Sequence, residues 1–187
     1  MTRILVFSGA TRPASLNRRL AAIATRDLRA MGATVTEISL LDFPLPFVDE
    51  DGRPNPPQEA HAFNAALQGH DGIFIATPEY NSGYPPILKN ALDWASMCNG
   101  GKPGLGGKVV ALGAASPSPR GGYRVLTQLR STLELGFGAL VIPEMAPVPF
   151  ANKALAEDGT IADEASAKML AACLQRLVAE VKLRQKD

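Results

Sequence analysis

Apolar and polar positions follow two rhythms along this chain. Short apolar runs of strand length fall at 4–8, 34–40, 72–77, 108–114 and 139–142. Between them, apolar residues recur at three- and four-residue spacing. Leu16, Leu20, Ile23, Ala24, Leu28 and Met31 trace one face of a helix, and Gly32 is placed to end it. The same spacing predicts helices over 58–67, about 86–97, about 123–135 and 164–184. Two loops separate these elements: a polar, Pro-rich one at 44–57 containing Asp49-Glu50-Asp51-Gly52, and another at 143–163.

Strand and helix thus alternate five times. Strands that read as continuous apolar runs are buried on both faces, as in a parallel sheet. Right-handed crossovers then place helices on both sides. The expectation is an α/β chain, a doubly wound five-stranded parallel sheet in the order 2-1-3-4-5 of flavodoxin-like folds, with residues 1–187 forming a single domain.

Composition removes several function classes. Lys and Arg number 19 against 18 Asp and Glu, with no long block of either sign, so neither nucleic acid nor an anionic membrane is an expected partner. Cys98 and Cys173 have no CxxC spacing and read as ordinary thiols in a reducing compartment. The apolar start closes at Gly9, too soon for a signal peptide, and no stretch approaches the ~18 apolar residues of a membrane span. The chain reads as a soluble cytoplasmic protein.

In this strand order, ligands bind outside the carboxyl ends of the strands, in the crevice between strands one and three. Three loops meet there. The first, Ser8 to Asn17, offers hydroxyls at Ser8, Thr11 and Ser15, the Arg12 guanidinium and the free N–H groups of a helix start. Together they match a terminal phosphate, although an ordinary helix cap at Ser15 explains the same residues. The second is Thr77-Pro78-Glu79-Tyr80-Asn81-Ser82, whose polar groups suit a flat heterocycle. Its plainer explanation is a turn into a helix. The third runs from Ser116 to Gly121-Gly122, where two glycines let backbone approach a planar ring or simply form a surface turn. His61 and His70 lie away from this edge. There is no G-x-S-x-G elbow, no dinucleotide or Walker fingerprint and no metal-ligand spacing. Such an edge suits a cofactor that carries the chemistry itself, and a mononucleotide such as FMN fits it.

Gly9-Ala10-Thr11-Arg12-Pro13-Ala14-Ser15-Leu16-Asn17, then Pro78-Glu79-Tyr80-Asn81 and Pro86-Ile87-Leu88-Lys89-Asn90-Ala91-Leu92-Asp93-Trp94, closely resemble the NADPH-dependent FMN reductase family, which includes quinone, azo-dye and chromate reductases. The family patterns are G-S-x-R-x-x-S-x-N and P-E-Y-N…P-x-x-L-K-N-A-[IL]-D-W. The resemblance spans about 4 to 148. It implies that Arg12, Ser15, Leu16 and Asn17, with Ser8, hold the FMN phosphate end. It also implies that Pro78, Glu79, Tyr80, Asn81 and Ser82 line the ring and ribityl chain, and that Ser116 borders the ring. One departure stands out. The family's Ser beside Gly9 is Ala10 here, which removes a hydroxyl that Thr11 or Ser8 would have to replace.

The expected function is an FMN-dependent NAD(P)H oxidoreductase, with NADPH or NADH as donor and a quinone, azo compound, metal oxyanion or free flavin as small-molecule acceptor. No residue is expected to act as a catalytic acid or base. The competing reading is a non-enzymatic flavodoxin-type electron carrier. The resemblance also implies a homodimer or homotetramer, with the Ile87, Leu88, Leu92 and Trp94 stripe available to face a partner.

Overall fold

The computed structural model describes residues 1–49, 51, 55–100 and 104–185. Five parallel strands form one sheet in the order β2-β1-β3-β4-β5. They are β1 (Arg3–Ser8), β2 (Thr34–Ser39), β3 (Gly72–Ala76), β4 (Val109–Ala115) and β5 (Leu140–Val148). The helices are α1 (Leu16–Ala30), α2 (Gln58–Gln68), α3 (Pro86–Met97), α4 (Tyr123–Ser131), the four-residue α5 (Ala151–Ala154) and α6 (Glu164–Arg184). Fold class and strand order are those expected from the periodicity. Glu50 and Gly52 of the Pro-rich loop lie outside the described residues.

Strand alternation builds two cores. Ile4, Val6, Phe74 and Val109 face α1 and α6, where they meet Leu20, Leu28, Leu174 and Leu177. Leu5, Phe7, Ile73, Ile75 and Leu112 face the other way, against Phe63, Leu67, Leu88, Leu92 and Leu129 of α2, α3 and α4. The central strands are therefore buried on both faces. β2 is not: most of its residues are exposed or half-exposed, as suits an edge strand whose sequence is Thr-Val-Thr-Glu-Ile-Ser. It ends at Ser39, which caps a tight turn over Leu40–Asp42 by accepting from the Leu41 N–H at 3.2 Å.

β5 runs past its expected end at 142. Val141 pairs with Val110 but Met145 pairs with Leu112, so three residues bulge opposite Ala111. Pro143 sits in that bulge, where its missing N–H costs no ladder bond. Arg130 supports the bulge by donating to the carbonyls of Val141 (3.0 Å), Ile142 and Pro143 (3.2 Å). The last expected turns of α4 are also altered. After Ser131 the chain widens into a π turn over Thr132–Gly136, with the Thr132 hydroxyl bonded back to the Gln128 carbonyl.

The Asn90 and Trp94 side of α3 has a structural task. Asn90 Nδ2 and Trp94 Nε1 both donate to the Pro46 carbonyl, at 2.8 and 2.7 Å, and Asn90 Oδ1 accepts from the Val48 N–H at 2.9 Å. The loop after β2 is thereby fastened to α3. Leu88, Leu92 and Trp94 are fully buried within the chain, so they present nothing to a partner; of the stripe, only Ile87 is exposed.

At the carboxyl edge, Asn17 joins α1 to β4. Its Nδ2 donates to the Ala115 carbonyl at 2.9 Å, and its Oδ1 accepts from the Ala115 N–H at 2.8 Å. Both partners are buried. Asn17→Ala leaves a buried donor and a buried acceptor unpaired, and should lower unfolding free energy by about 2–4 kcal/mol in denaturant titration. A loss under about 0.5 kcal/mol would show that water replaces the amide.

Candidate flavin-binding cleft

The carboxyl ends of β1, β3 and β4 open into a cleft of about 350 Å³, within the usual ~300–1,000 Å³ range of small-molecule sites. At its base Gly9 lies where a Cβ would come within 3.0 Å of Thr77 Oγ1 and 3.2 Å of Leu88 Cδ2. A side chain there would have to push Thr77 and Leu88 aside by a few tenths of an ångström, so glycine suits the close convergence of β1, β3 and α3.

One wall is the start of α1. Ser15 is its N-cap, with extended backbone and Oγ accepting from the Asn17 N–H at 3.2 Å. The first-turn N–H groups have no intrahelical partners, and the helix dipole adds positive potential. No acidic residue occupies that first turn. Arg12 is exposed beside it on the same wall, so this end is arranged for an anion. Ala10 also lines the cleft, and its N–H donates to Ser8 Oγ at 3.1 Å.

The opposite wall is the segment after β3. Tyr80 and Gly83 exchange two backbone hydrogen bonds of 2.8 and 2.9 Å around Asn81-Ser82. Both central residues have positive φ, 51° and 70°, so the chain turns within two residues. Asn tolerates this conformation, while Ser82 is held there by its surroundings at a cost of about 1 kcal/mol. Those surroundings are α4. Glu79, with its side chain only 7% exposed, accepts from Arg124 Nε (2.8 Å) and Nη2, and from the Val125 N–H at 3.3 Å. Tyr84 hydroxyl lies 3.1 Å from Thr132 Oγ1. The positive helix end beside Glu79 is thus that of α4. The side chain of Glu79 clamps the wall to α4.

The third wall is Ala115, Ser116 and Pro117. Ser116 Oγ accepts from the Ser118 N–H at 3.2 Å, which curls the loop on itself. Gly121 and Gly122 have φ of 59° and 81°, but their empty side-chain positions do not open toward a ring. A Cβ on Gly121 would lie 2.7 Å from Pro149 N, and one on Gly122 2.6 Å from Ala114 Cβ. The glycines let this loop pack against the ends of β4 and β5.

The cleft therefore gathers Arg12, Ser15, Leu16, Asn17, Pro78, Glu79, Tyr80 and Ser116. Asn17 lines it with its amide committed at both ends to Ala115. Ser8 does not line it. It faces a neighbouring hollow with Arg18, Glu37 and Asp42, and its Oγ already accepts from Ala10, so it is poorly placed to replace the missing hydroxyl. Asn81 and Ser82 form the turn tip rather than the lining. Ala10 lies at the cup, where the sequence comparison with the family put it, while Ala115 and Pro117 were not named as site residues; small and apolar, they carry no chemical signal in sequence.

His70 ties α2 to β2, its ring nitrogens 2.7 Å from the Ala66 carbonyl and 2.8 Å from Thr36 Oγ1. Burial pushes the Cys173 thiol up to about 12 and also raises that of Cys98; neither lines the cleft. An anion-binding helix start at one end and a rigid, polar-backboned turn at the other fit a phosphate-bearing planar heterocycle, and FMN meets that description.

The sequence profile described as NADPH-dependent FMN reductase matches residues 2–153. A 2-hydroxy-1,4-benzoquinone reductase of Burkholderia sp is 37% identical over 128 residues, 60% of this chain and 64% of that protein. An NAD(P)H-dependent FMN reductase of Schizosaccharomyces pombe is 34% identical over 108 residues, 54% of each chain. This chain thus spans under two thirds of these two relatives. A quinone reductase of Escherichia coli K12 is 30% identical over 164 residues, 87% of this chain and 86% of that one. Among solved structures, the flavoenzyme NAD(P)H:(acceptor) oxidoreductase FerB of Paracoccus denitrificans superposes with a TM-score of 0.80 at 26% identity, covering 97% of this chain and 98% of its own. With the profile match running through the helix-start anion site and the clamped turn after β3, the chain belongs to the NADPH-dependent FMN reductase family.

Proposed function

We propose that this chain is an FMN-dependent NAD(P)H oxidoreductase whose acceptor is a small planar molecule, with quinones the favoured class. The observation that carries this reading is a single cleft with an anion-binding helix start at one end and the Tyr80–Gly83 turn at the other. In this reading Arg12, Ser15 and the α1 N–H groups hold the phosphate. Leu16 packs beside it, and Asn17 keeps the cup in shape. Pro78, Glu79 and Tyr80 border the ring, the Asn81-Ser82 tip holds their turn in shape, and Ser116 flanks the ring. FMN held there would supply the two-electron chemistry that links a nicotinamide donor to the acceptor.

The protein's own contribution is position. The clamp from Glu79 to Arg124 and Val125 restrains the turn, which lowers the ordering cost of binding. Tyr80 is 56% exposed at the mouth, where an incoming ring can meet its face. The carrier reading is not favoured, since the relatives are named as reductases. The reading further includes residues 1–187 acting as one FMN-binding domain, a cytoplasmic location and a homodimer. Phe47 is 77% exposed and Leu41 58%, on the segment after β2. With Ile87 they offer an apolar surface for a second copy. No helix among the described residues is long and apolar enough to cross a membrane.

Arg12→Ala should weaken FMN binding roughly 10- to 100-fold, about 1.5–3 kcal/mol for a lost hydrogen bond to a charged group. Riboflavin, lacking the phosphate, should bind both proteins equally and weakly in calorimetry. Equal FMN affinity in the two proteins would remove the phosphate cup.

Anaerobic mixing of the FMN-loaded protein with NADPH or NADH should bleach the flavin within seconds, and steady-state plots against a quinone should give parallel lines. Failure to bleach with either nucleotide sinks the enzyme reading in favour of a carrier. Intersecting lines would mean that donor and acceptor occupy separate places.

Sedimentation at micromolar concentration should give a dimer that Phe47→Glu shifts toward monomer. A wild-type monomer that is fully active would remove the partner from the reading.

A further inference from the structure

Phe150 adopts φ 46° and ψ 40°, a left-handed conformation that a bulky side chain rarely takes. A Cβ crowds the following carbonyl in this conformation, so it is unfavourable. Burial does not offset it, because the residue is 53% exposed. An observed outlier of this kind calls for a task.

The ring borders a groove of about 500 Å³, with Pro119, Pro149 and Lys153 on its walls. That groove is joined to the cleft by one loop. Phe150 N–H donates to the Ser118 carbonyl at 3.2 Å, and Ala151 N–H to the Ser116 carbonyl at 2.9 Å. Ser116 and Pro117 are themselves a wall of the cleft. Gly121, pressed against the Val148–Pro149 peptide, keeps the two loops in contact.

We propose that this groove binds the adenosine phosphate end of the dinucleotide donor, with Phe150 as the stacking face for adenine and Lys153 as the phosphate contact. The proposal rests on the oxidoreductase reading. A donor whose nicotinamide reaches the cleft must lay its remaining half on a neighbouring surface. The groove offers an aromatic plane, two prolines and a cation, the chemistry that a purine and a phosphate require. The one carboxylate on the wall, Asp163, accepts from the Ser166 N–H at 2.8 Å and caps α6, whose dipole offsets part of its charge. With that carboxylate compensated, Lys153 is left to meet a phosphate.

The test is calorimetry with adenosine 2′,5′-bisphosphate titrated into the full-length protein, with and without FMN. Binding is expected, in competition with NADPH. Phe150→Asn and Lys153→Ala should each weaken it about tenfold or more while leaving FMN affinity unchanged. Asn accepts positive φ, so Phe150→Asn should melt no lower than wild type. Binding that both variants leave intact would overturn the groove. So would absent binding in a protein whose flavin NADPH still bleaches, or a Phe150→Asn variant that melts several degrees lower and binds as before. Binding of the bisphosphate by a protein that NADPH fails to bleach would uphold the groove and overturn the reductase reading instead.

Discussion

The Asn17 amide and the Ala115 peptide satisfy each other across the top of the sheet, and because both are buried, neither has water to turn to. A buried peptide group left unpaired costs more than the bond itself contributes. That asymmetry fixes where α1 begins relative to β4, and so the distance between the anion-binding wall and the wall of Ser116. Ser15, two residues earlier, is the cap whose position follows from it. The binding edge is thus defined by a polar contact between chain segments nearly a hundred residues apart, set on a core of alternating apolar strands.

The remaining wall is held by the same logic applied at the surface. The turn after β3 uses two residues of positive φ, which alone would leave it loose and unfavourable. Contacts to α4 and to the π turn after it over-determine it: the carboxylate of Glu79 on Arg124 and the Val125 N–H, and Tyr84 against Thr132. Rigid walls around a cleft suit a protein whose bound group performs the chemistry, since what remains to be supplied is geometry.

Much of this was legible in the residues. The period-two and three-to-four spacing of Ile4–Phe7, Ile73–Ile75 and Leu20–Leu28 marks the layers, and the order of elements implies the sheet. Arg12, Ser15, Pro78 and Tyr80 were expected at this edge because of their place after β1 and β3, and all four line the cleft. Other features were not. Pro143 reads as a strand terminator, and nothing local announces that Arg130 will satisfy a bulge there. Glu79 reads as a ligand group, because a side chain's partner across 45 residues is a property of packing. Gly121 and Gly122 read as room for a ligand, when the space is filled by Pro149 and Ala114. The α3 stripe reads as a surface because helical period alone cannot tell which chain a face is buried against; here Leu88, Leu92 and Trp94 face their own.

The bulge in β5 bears on more than strand length. β5 is an outer strand, and an unbroken outer strand is a template on which a foreign strand can pair. Pro143 and Pro147 leave two gaps in its row of N–H donors, and Arg130 already occupies three successive carbonyls between 141 and 143. A sixth strand arriving there would find neither a regular ladder nor free acceptors. Crowding of this protein in solution should therefore not extend its sheet from that side, and the deformation that carries β5 around its proline also works as a guard against fibre-like growth.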